Sequence, residues 1–202
     1  MKKKVILKET QLLKEFVDFA LSIMEVQDPY TVGHQKRVNK LAVAIAKKLN
    51  LSEDAINNID ISSYVHDLGK LYIPIQILSK PGKLSKVELN FIKQHPQIGS
   101  CLWKSIEINN NERIHNIILQ HHERLDGSGY PFGLKGKGIL KEAQIVAVAD
   151  VVEAMTSHRP YREALGLEAA LKEIQSNEGS LYNKEIVQAC IQLFKNEDFQ
   201  FN

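Results

Sequence analysis

The residues equipped for chemistry in this sequence are His34, His66, Asp67, His95, His121, His122 and Asp150. Imidazole nitrogen and carboxylate oxygen are the usual ligands of zinc, iron and manganese, and two such ions held close together share a bridging carboxylate or hydroxide. Each of these residues stands on a face, or at the end, of a helical pattern whose neighbours are apolar. Burying them without partners would cost several kcal/mol apiece, so something must satisfy them. Taken singly, an inward histidine is usually a core residue bonded to a backbone carbonyl, and a His-Asp dipeptide is usually chance or a cap. Five inward histidines out of seven, two of them adjacent, would need five separate coincidences, whereas one metal cluster accounts for them together. His115 and His158 remain, and both are read as structural residues.

The elements that must bring these groups together are helical. Leu13, Phe16, Val17, Ala20 and Met24 recur at three- and four-residue steps between Thr10 and Gln27, which predicts an amphipathic helix ended by Asp28-Pro29. A second helix, Thr31 to Leu49, carries Val38, Leu41, Ala42, Ile45 and Leu49 on the face that His34 shares. Ser52 with Glu53 and Asp54 opens a third, which runs through Ile56, Ile59 and Ser63 to His66 and is expected to close at a left-handed Gly69. Ser85 and Glu88 form a capping box before a helix with Val87, Phe91 and His95 at four-residue steps, and Pro96 breaks or kinks it. Asn109 to Asn111 cap a helix in which Ile114, Ile117, Ile118, His121 and His122 share one face, sending both histidines inward. Residues 123 to 140 hold Gly127, Gly129, Gly133, Gly136 and Gly138, five of the eleven glycines, and so read as a structured loop of the kind that carries function. Helices at Glu142 to Ser157, with Val146, Ala149, Asp150 and Glu153 aligned, at Leu167 to Gln175 and at Asn183 to Lys195 complete the pattern. A short hairpin in the glycine loop is the one strand candidate.

Length and composition narrow the class. A chain of 202 residues is expected to form one domain, and 44% hydrophobic with 25% charged residues excludes disordered, fibrous and membrane classes. A net charge of +2 is too small for a general nucleic-acid footprint, so an anionic ligand must be met locally. Lys2, Lys3 and Lys4 read as solvated charge. Cys101 and Cys190 are too few and too far apart for a disulfide framework or a metal clip, and are expected to be buried thiols. The opening reaches Glu9 before any stretch of signal-peptide length, and no 18-residue apolar run occurs, so a cytoplasmic protein is expected.

Two segments go further. His66-Asp67-Leu68-Gly69-Lys70 matches the HDxGK motif, and HHERLDGSGYP from His121 to Pro131 matches the longer motif HHExxDGxGYP. DPYTVGHQKRV around His34, QHP at His95 and VADVVEAMTSHRPYR from Val148 to Arg162 stand in the matching order. Over nearly its whole length the sequence resembles the HD-GYP subfamily of the HD phosphohydrolase superfamily.

The resemblance implies an all-α HD-domain helical bundle with a glycine-rich GYP loop, here a single domain over 1–202 with residues 1–8 and 196–202 as tails. It implies two divalent metal ions, iron or manganese, held by His34, His66, Asp67, His95, His121, His122 and Asp150, with Asp67 bridging. The implied reaction is hydrolysis of cyclic di-GMP to the linear pGpG, in some members onward to GMP, by attack of a metal-bridging hydroxide. Lys70 matches the lysine at the scissile phosphate, and Arg159 and Arg162 match positions that hold the ligand's phosphates. Gly127, Gly129, Tyr130 and Pro131 form the signature loop, which in the family is implicated in contact with partners, including diguanylate cyclase domains.

Two positions depart from the pattern. Members with a third metal carry Glu where this chain has Tyr30, so two metals are expected, and many members carry Asp where Glu153 stands. The rival readings are a nucleotidase of the wider superfamily, disfavoured by the intact GYP segment, and a signalling module that binds a cyclic dinucleotide or partner without turning it over. Retention of His66-Asp67 disfavours the second.

Overall fold

The computed structural model describes residues 2–27, 29–106, 111–158, 163–197 and 199–201. Their helices are α1 (Lys2–Gln27), α2 (Pro29–Lys48), α3 (Glu53–Val65), α4 (Ile75–Leu78), α5 (Lys86–Ile92), α6 (His95–Lys104), α7 (Asn111–Gln120), α8 (Lys141–Thr156), α9 (Leu167–Ser176) and α10 (Lys184–Asn196). Short 3-10 helices at Leu68–Tyr72 and Gly136–Gly138 interrupt the connections. Among the described residues no strand forms, and Glu178 pairs with Tyr182 as an isolated bridge. The all-α expectation holds, and the glycine loop forms turns instead of the hairpin.

α2 and α8 lie at the centre. Val38, Leu41, Ala42 and Ile45 of α2 are wholly buried, and α8 buries residues all round its circumference, from Ile145 and Val146 to Ala149 and Val152. A helix apolar on every side belongs inside, and α3, α7, α9 and α10 cover this pair. A second cluster joins Val17, Ala20, Leu21 and Met24 of α1 to Val65, Leu68, Trp103, Ile114 and Ile118. Phe199 and Phe201, expected in a tail, pack with Phe194 at centroid distances of 5.1 and 5.6 Å. The helical start also lies upstream of Thr10, within residues expected as a tail.

The local signals act largely as their chemistry dictates. Ser52 Oγ accepts from the amide of Ala55 at 3.3 Å, and Ser85 with Glu88 forms the reciprocal capping box. The cap proposed at Asn109 falls outside the described residues, as do Arg159 and Arg162.

Several expectations are corrected. Val87 and Phe91 are 78% and 39% exposed, so the short α5 buries no apolar stripe, and His95 belongs instead to α6, whose first turn accommodates Pro96. Gly69 is not left-handed; it lies within the Leu68–Tyr72 turn. Its lack of a side chain answers a steric need, because a Cβ there would fall 2.0 Å from the His95 carbonyl oxygen and 2.6 Å from the Gly99 amide. Gly99 returns the relation, since its own Cβ would lie 2.9 Å from the Gly69 amide. Cys101 is exposed, whereas Cys190 is buried as expected, with burial pushing its thiol up to about 12.

Candidate metal centre

The seven proposed ligands come from α2 (His34), the end of α3 (His66, Asp67), the start of α6 (His95), the end of α7 (His121, His122) and α8 (Asp150). They converge. Their donor atoms fall into overlapping groups, His34–His66–Asp150, His66–Asp67–His121 and His95–His121–His122, each with all donors within 4.8 Å of one another. Asp67 stands between the outer groups: Oδ1 lies 3.2 Å from His95 Nε2, and Oδ2 lies 3.5 and 3.7 Å from the Nε2 atoms of His66 and His34.

Backbone geometry fixes which imidazole nitrogen faces inward. Nδ1 of His66, His95 and His121 each meets the carbonyl oxygen three residues earlier, of Ser63, Ile92 and Ile118, at 2.8, 2.8 and 2.6 Å. A carbonyl only accepts, so Nδ1 carries the proton and Nε2 presents its lone pair to the cluster. The contact between Nε2 of His95 and Nε2 of His121 is 3.2 Å. Neutral rings meet there lone pair to lone pair, an arrangement that a proton or a metal ion must bridge. Two nitrogens bound to one ion at ~2.1 Å lie about 3 to 3.4 Å apart. The Nε2 of His66 is buried with no hydrogen-bond partner among the described residues. Donor set, tautomers and spacing all fit metal binding.

Electrostatics prepare the ligating forms. Burial holds the imidazole of His66 below the ordinary histidine range, and those of His121 and His122 well below it. Burial alone would raise the Asp67 carboxyl, but the Lys70 ammonium and the His66 imidazole outweigh it and hold the group well below the usual range. Asp150 follows the same course: burial alone would raise it, but the adjoining His34 and His66 imidazoles outweigh that and hold it well below the usual range. Neutral imidazoles and ionised carboxylates are the species that bind cations. Lys70 lies at the rim, its Nζ 2.7 Å from Asp67 Oδ2.

Further residues support the cluster, among them Glu153, the acid that departs from the family's Asp. Glu153, fully buried, accepts the Nδ1 proton of His34, and also accepts from Arg37 Nε and Ser157 Oγ, both at 2.6 Å. Against the pull of burial, these partners hold its carboxyl down at about 2. Glu123 accepts from the amides of Phe132 and Leu134 at 2.8 and 2.9 Å and so pins the signature loop beside His122. The motif contained Glu123, but only the fold shows what it holds. A Cβ on Gly129 would lie 2.4 to 2.5 Å from backbone atoms of residues 122–124, so the loop lies directly on that strand of chain. Asp126 accepts from the amide and hydroxyl of Ser128 at 2.9 and 2.7 Å. His115 meets the hydroxyl and carbonyl oxygens of Ser100 at 2.7 and 3.0 Å, and His158 is exposed.

A family model described as HD domain matches residues 20–186, which takes in every one of these ligands. The chain belongs to the HD domain family. Within it, the intact GYP segment places the chain in the HD-GYP branch. This HD domain is 42% identical over 168 residues to the cyclic di-GMP phosphodiesterase response regulator RpfG of Xanthomonas campestris, covering 83% of this chain and 44% of that protein. It is 39% identical over 208 residues to a cyclic di-GMP phosphodiesterase of Thermotoga maritima, covering 96% of this chain and 56% of the relative. The chain therefore spans about half the length of these curated relatives. In fold it resembles Bd1817, an HDG"Y"P protein from Bdellovibrio bacteriovorus, with a TM-score of 0.67 at 20% identity over 91% of this chain and 61% of that one. No helix among the described residues is long and apolar enough to cross a membrane.

Proposed function

We propose that this HD-GYP domain, taken as one unit over 1–202, is a metal-dependent phosphodiesterase that hydrolyses cyclic di-GMP to pGpG, with a related cyclic dinucleotide as the nearest alternative substrate. The observation that carries this reading is the lone-pair-to-lone-pair approach of His95 and His121 at 3.2 Å beside the Asp67 carboxylate. The names of the Xanthomonas and Thermotoga relatives support the choice of substrate.

His34, His66 and Asp150 would hold one divalent cation and His95, His121 and His122 a second, with Asp67 between them. Iron or manganese suits this nitrogen and oxygen donor set, and such ions supply Lewis acidity and lower the pKa of water so that a nucleophile exists at neutral pH. The chain's own groups do the rest. Asp67 stays ionised between the two donor groups and keeps Lys70 at the rim. Lys70 offers an ammonium to the scissile phosphate and holds a proton for the departing ribose oxygen. Arg159 and Arg162 clamp the diester, a task suited to the guanidinium fork.

Two free cysteines, one of them exposed, suit a reducing compartment, and we place the reaction in the cytoplasm. The signature loop presents Phe132, 59% exposed, as a contact for a regulatory or diguanylate cyclase partner.

The test incubates protein loaded with iron, manganese or zinc with cyclic di-GMP and separates the nucleotides. Appearance of pGpG is the expected result. Unchanged cyclic di-GMP with all three metals overturns the enzyme reading in favour of a binding module, and turnover of another cyclic dinucleotide alone overturns the substrate.

A further inference from the structure

The cluster histidines are oriented by different means. His66, His95 and His121 hang from backbone carbonyls, and His34 is held by Glu153. No hydrogen bond to the His122 imidazole occurs among the described residues. Rings hold it instead. Tyr130 stacks on it at a centroid distance of 4.6 Å with planes 24° apart, and His121 and His95 border it at 4.1 and 5.0 Å.

The stack continues outward and is tied down. Lys93 Nζ, at the end of α5, sits 5.3 Å from the Tyr130 ring centroid, a cation over an aromatic face. The Tyr130 amide donates to the His122 carbonyl oxygen at 3.2 Å, so ring and backbone of the loop both bear on the same histidine. We propose that Tyr130 is a positioning residue for His122, setting the plane of its imidazole so that the signature loop governs the cation held by His95, His121 and His122. This rests on the reading of those histidines as ligands. It gives the loop's tyrosine a task inside the metal centre in addition to any partner contact, and a partner that displaced the loop would weaken one metal and spare the other.

The experiment compares the wild type with Tyr130→Phe, Tyr130→Leu and Lys93→Gln by manganese calorimetry, alongside the His122 ring proton resonances of the metal-free proteins. Tyr130→Phe keeps the stack and should match the wild type. Tyr130→Leu should weaken one of two manganese sites by about 10- to 100-fold, the range for groups that orient metal ligands, and leave the other unchanged. The metal-free spectrum should lose the upfield ring-current shift of His122 in the leucine variant alone. Lys93→Gln should cost about two- to fivefold at the same site, and it carries the test if the leucine variant does not fold. Two unaltered sites and an unshifted His122 in Tyr130→Leu, or an unaltered Lys93→Gln where the leucine variant is unfolded, overturn the proposal. A wild type that takes up no manganese while His122 shows the ring-current shift overturns the ligand assignment and, with it, the loop's influence on a cation; Tyr130 would then merely orient a core histidine.

Discussion

Glu153 and His34 meet across the α2–α8 interface although 119 positions of chain separate them, and Glu153 accepts a hydrogen bond from His34 Nδ1, which leaves Nε2 facing Asp150 at 3.2 Å. The carboxylate serves Arg37 and Ser157 at the same time. An amide in its place keeps the shape but brings a donor where only acceptors belong. Glu153→Gln should therefore lose about 1 to 3 kcal/mol of stability and weaken metal binding by about 10- to 100-fold, read from urea midpoints and a metal titration. A variant indistinguishable from the wild type in both would remove Glu153 from the centre.

Asp67 is the one acid within 3.7 Å of His34, His66 and His95 Nε2 among the described ion pairs. Asp67→Ala should abolish metal content and hydrolysis together, as measured by elemental analysis and nucleotide separation. Hydrolysis surviving in metal-poor protein would contradict the bridging assignment.

Lys70 should separate binding from chemistry. Its ammonium pairs with Asp67 but supplies no lone pair to a metal. Lys70→Met should retain metal and lower kcat by ~10²- to 10³-fold, the usual loss when one charge-stabilising group is removed. Steady-state kinetics at constant metal content would decide, and an unchanged kcat would relegate Lys70 to the surface.

The metal-free protein should weaken in acid earlier than its carboxylates alone would dictate. His66, His121 and His122 have folded-state pKa values below the ordinary 6.5, so the unfolded chain binds more protons just below that value. Their contribution is complete above about pH 6.5 and falls as pH drops through the depressed folded values. Asp67 and Asp150, also depressed, lose theirs only below the ordinary 3.8. Urea midpoints of chelated protein should decline between about pH 7 and about pH 5, and a flat profile there would count against burial of these rings.

Much of this architecture was legible because periodicity reports burial. The α2 stripe and the α8 alignment of Ala149, Asp150 and Glu153 follow directly from it. The α5 stripe misled because Val87 and Phe91 have helical spacing on a helix too short to bury a face, while the pyrrolidine of Pro96 starts a new helix at His95. Gly69 reads as a cap from sequence because a glycine near a helix end looks the same whether it serves dihedral freedom or close approach. Pairings such as Glu153 with His34, or Tyr130 with His122, depend on which helices become neighbours, and no local pattern encodes that.

The contact between Gly69 and Gly99 can be probed directly. Gly69→Ala should destabilise by about 2 to 3 kcal/mol, at the upper end of the usual overpacking range, since the intruding methyl meets main chain and no flexible side chain can yield. Thermal melting measures it, and a loss under about 1 kcal/mol would mean that the two segments can separate cheaply.

That crossing has a wider consequence. Where peptide groups touch with nothing between them, the interval from the His66-Asp67 pair to His95 is set by main chain against main chain, like two rungs on a rigid ladder. Substitutions among the neighbouring hydrophobic residues should then alter how firmly the protein holds together while leaving the gauge of the donor cluster constant.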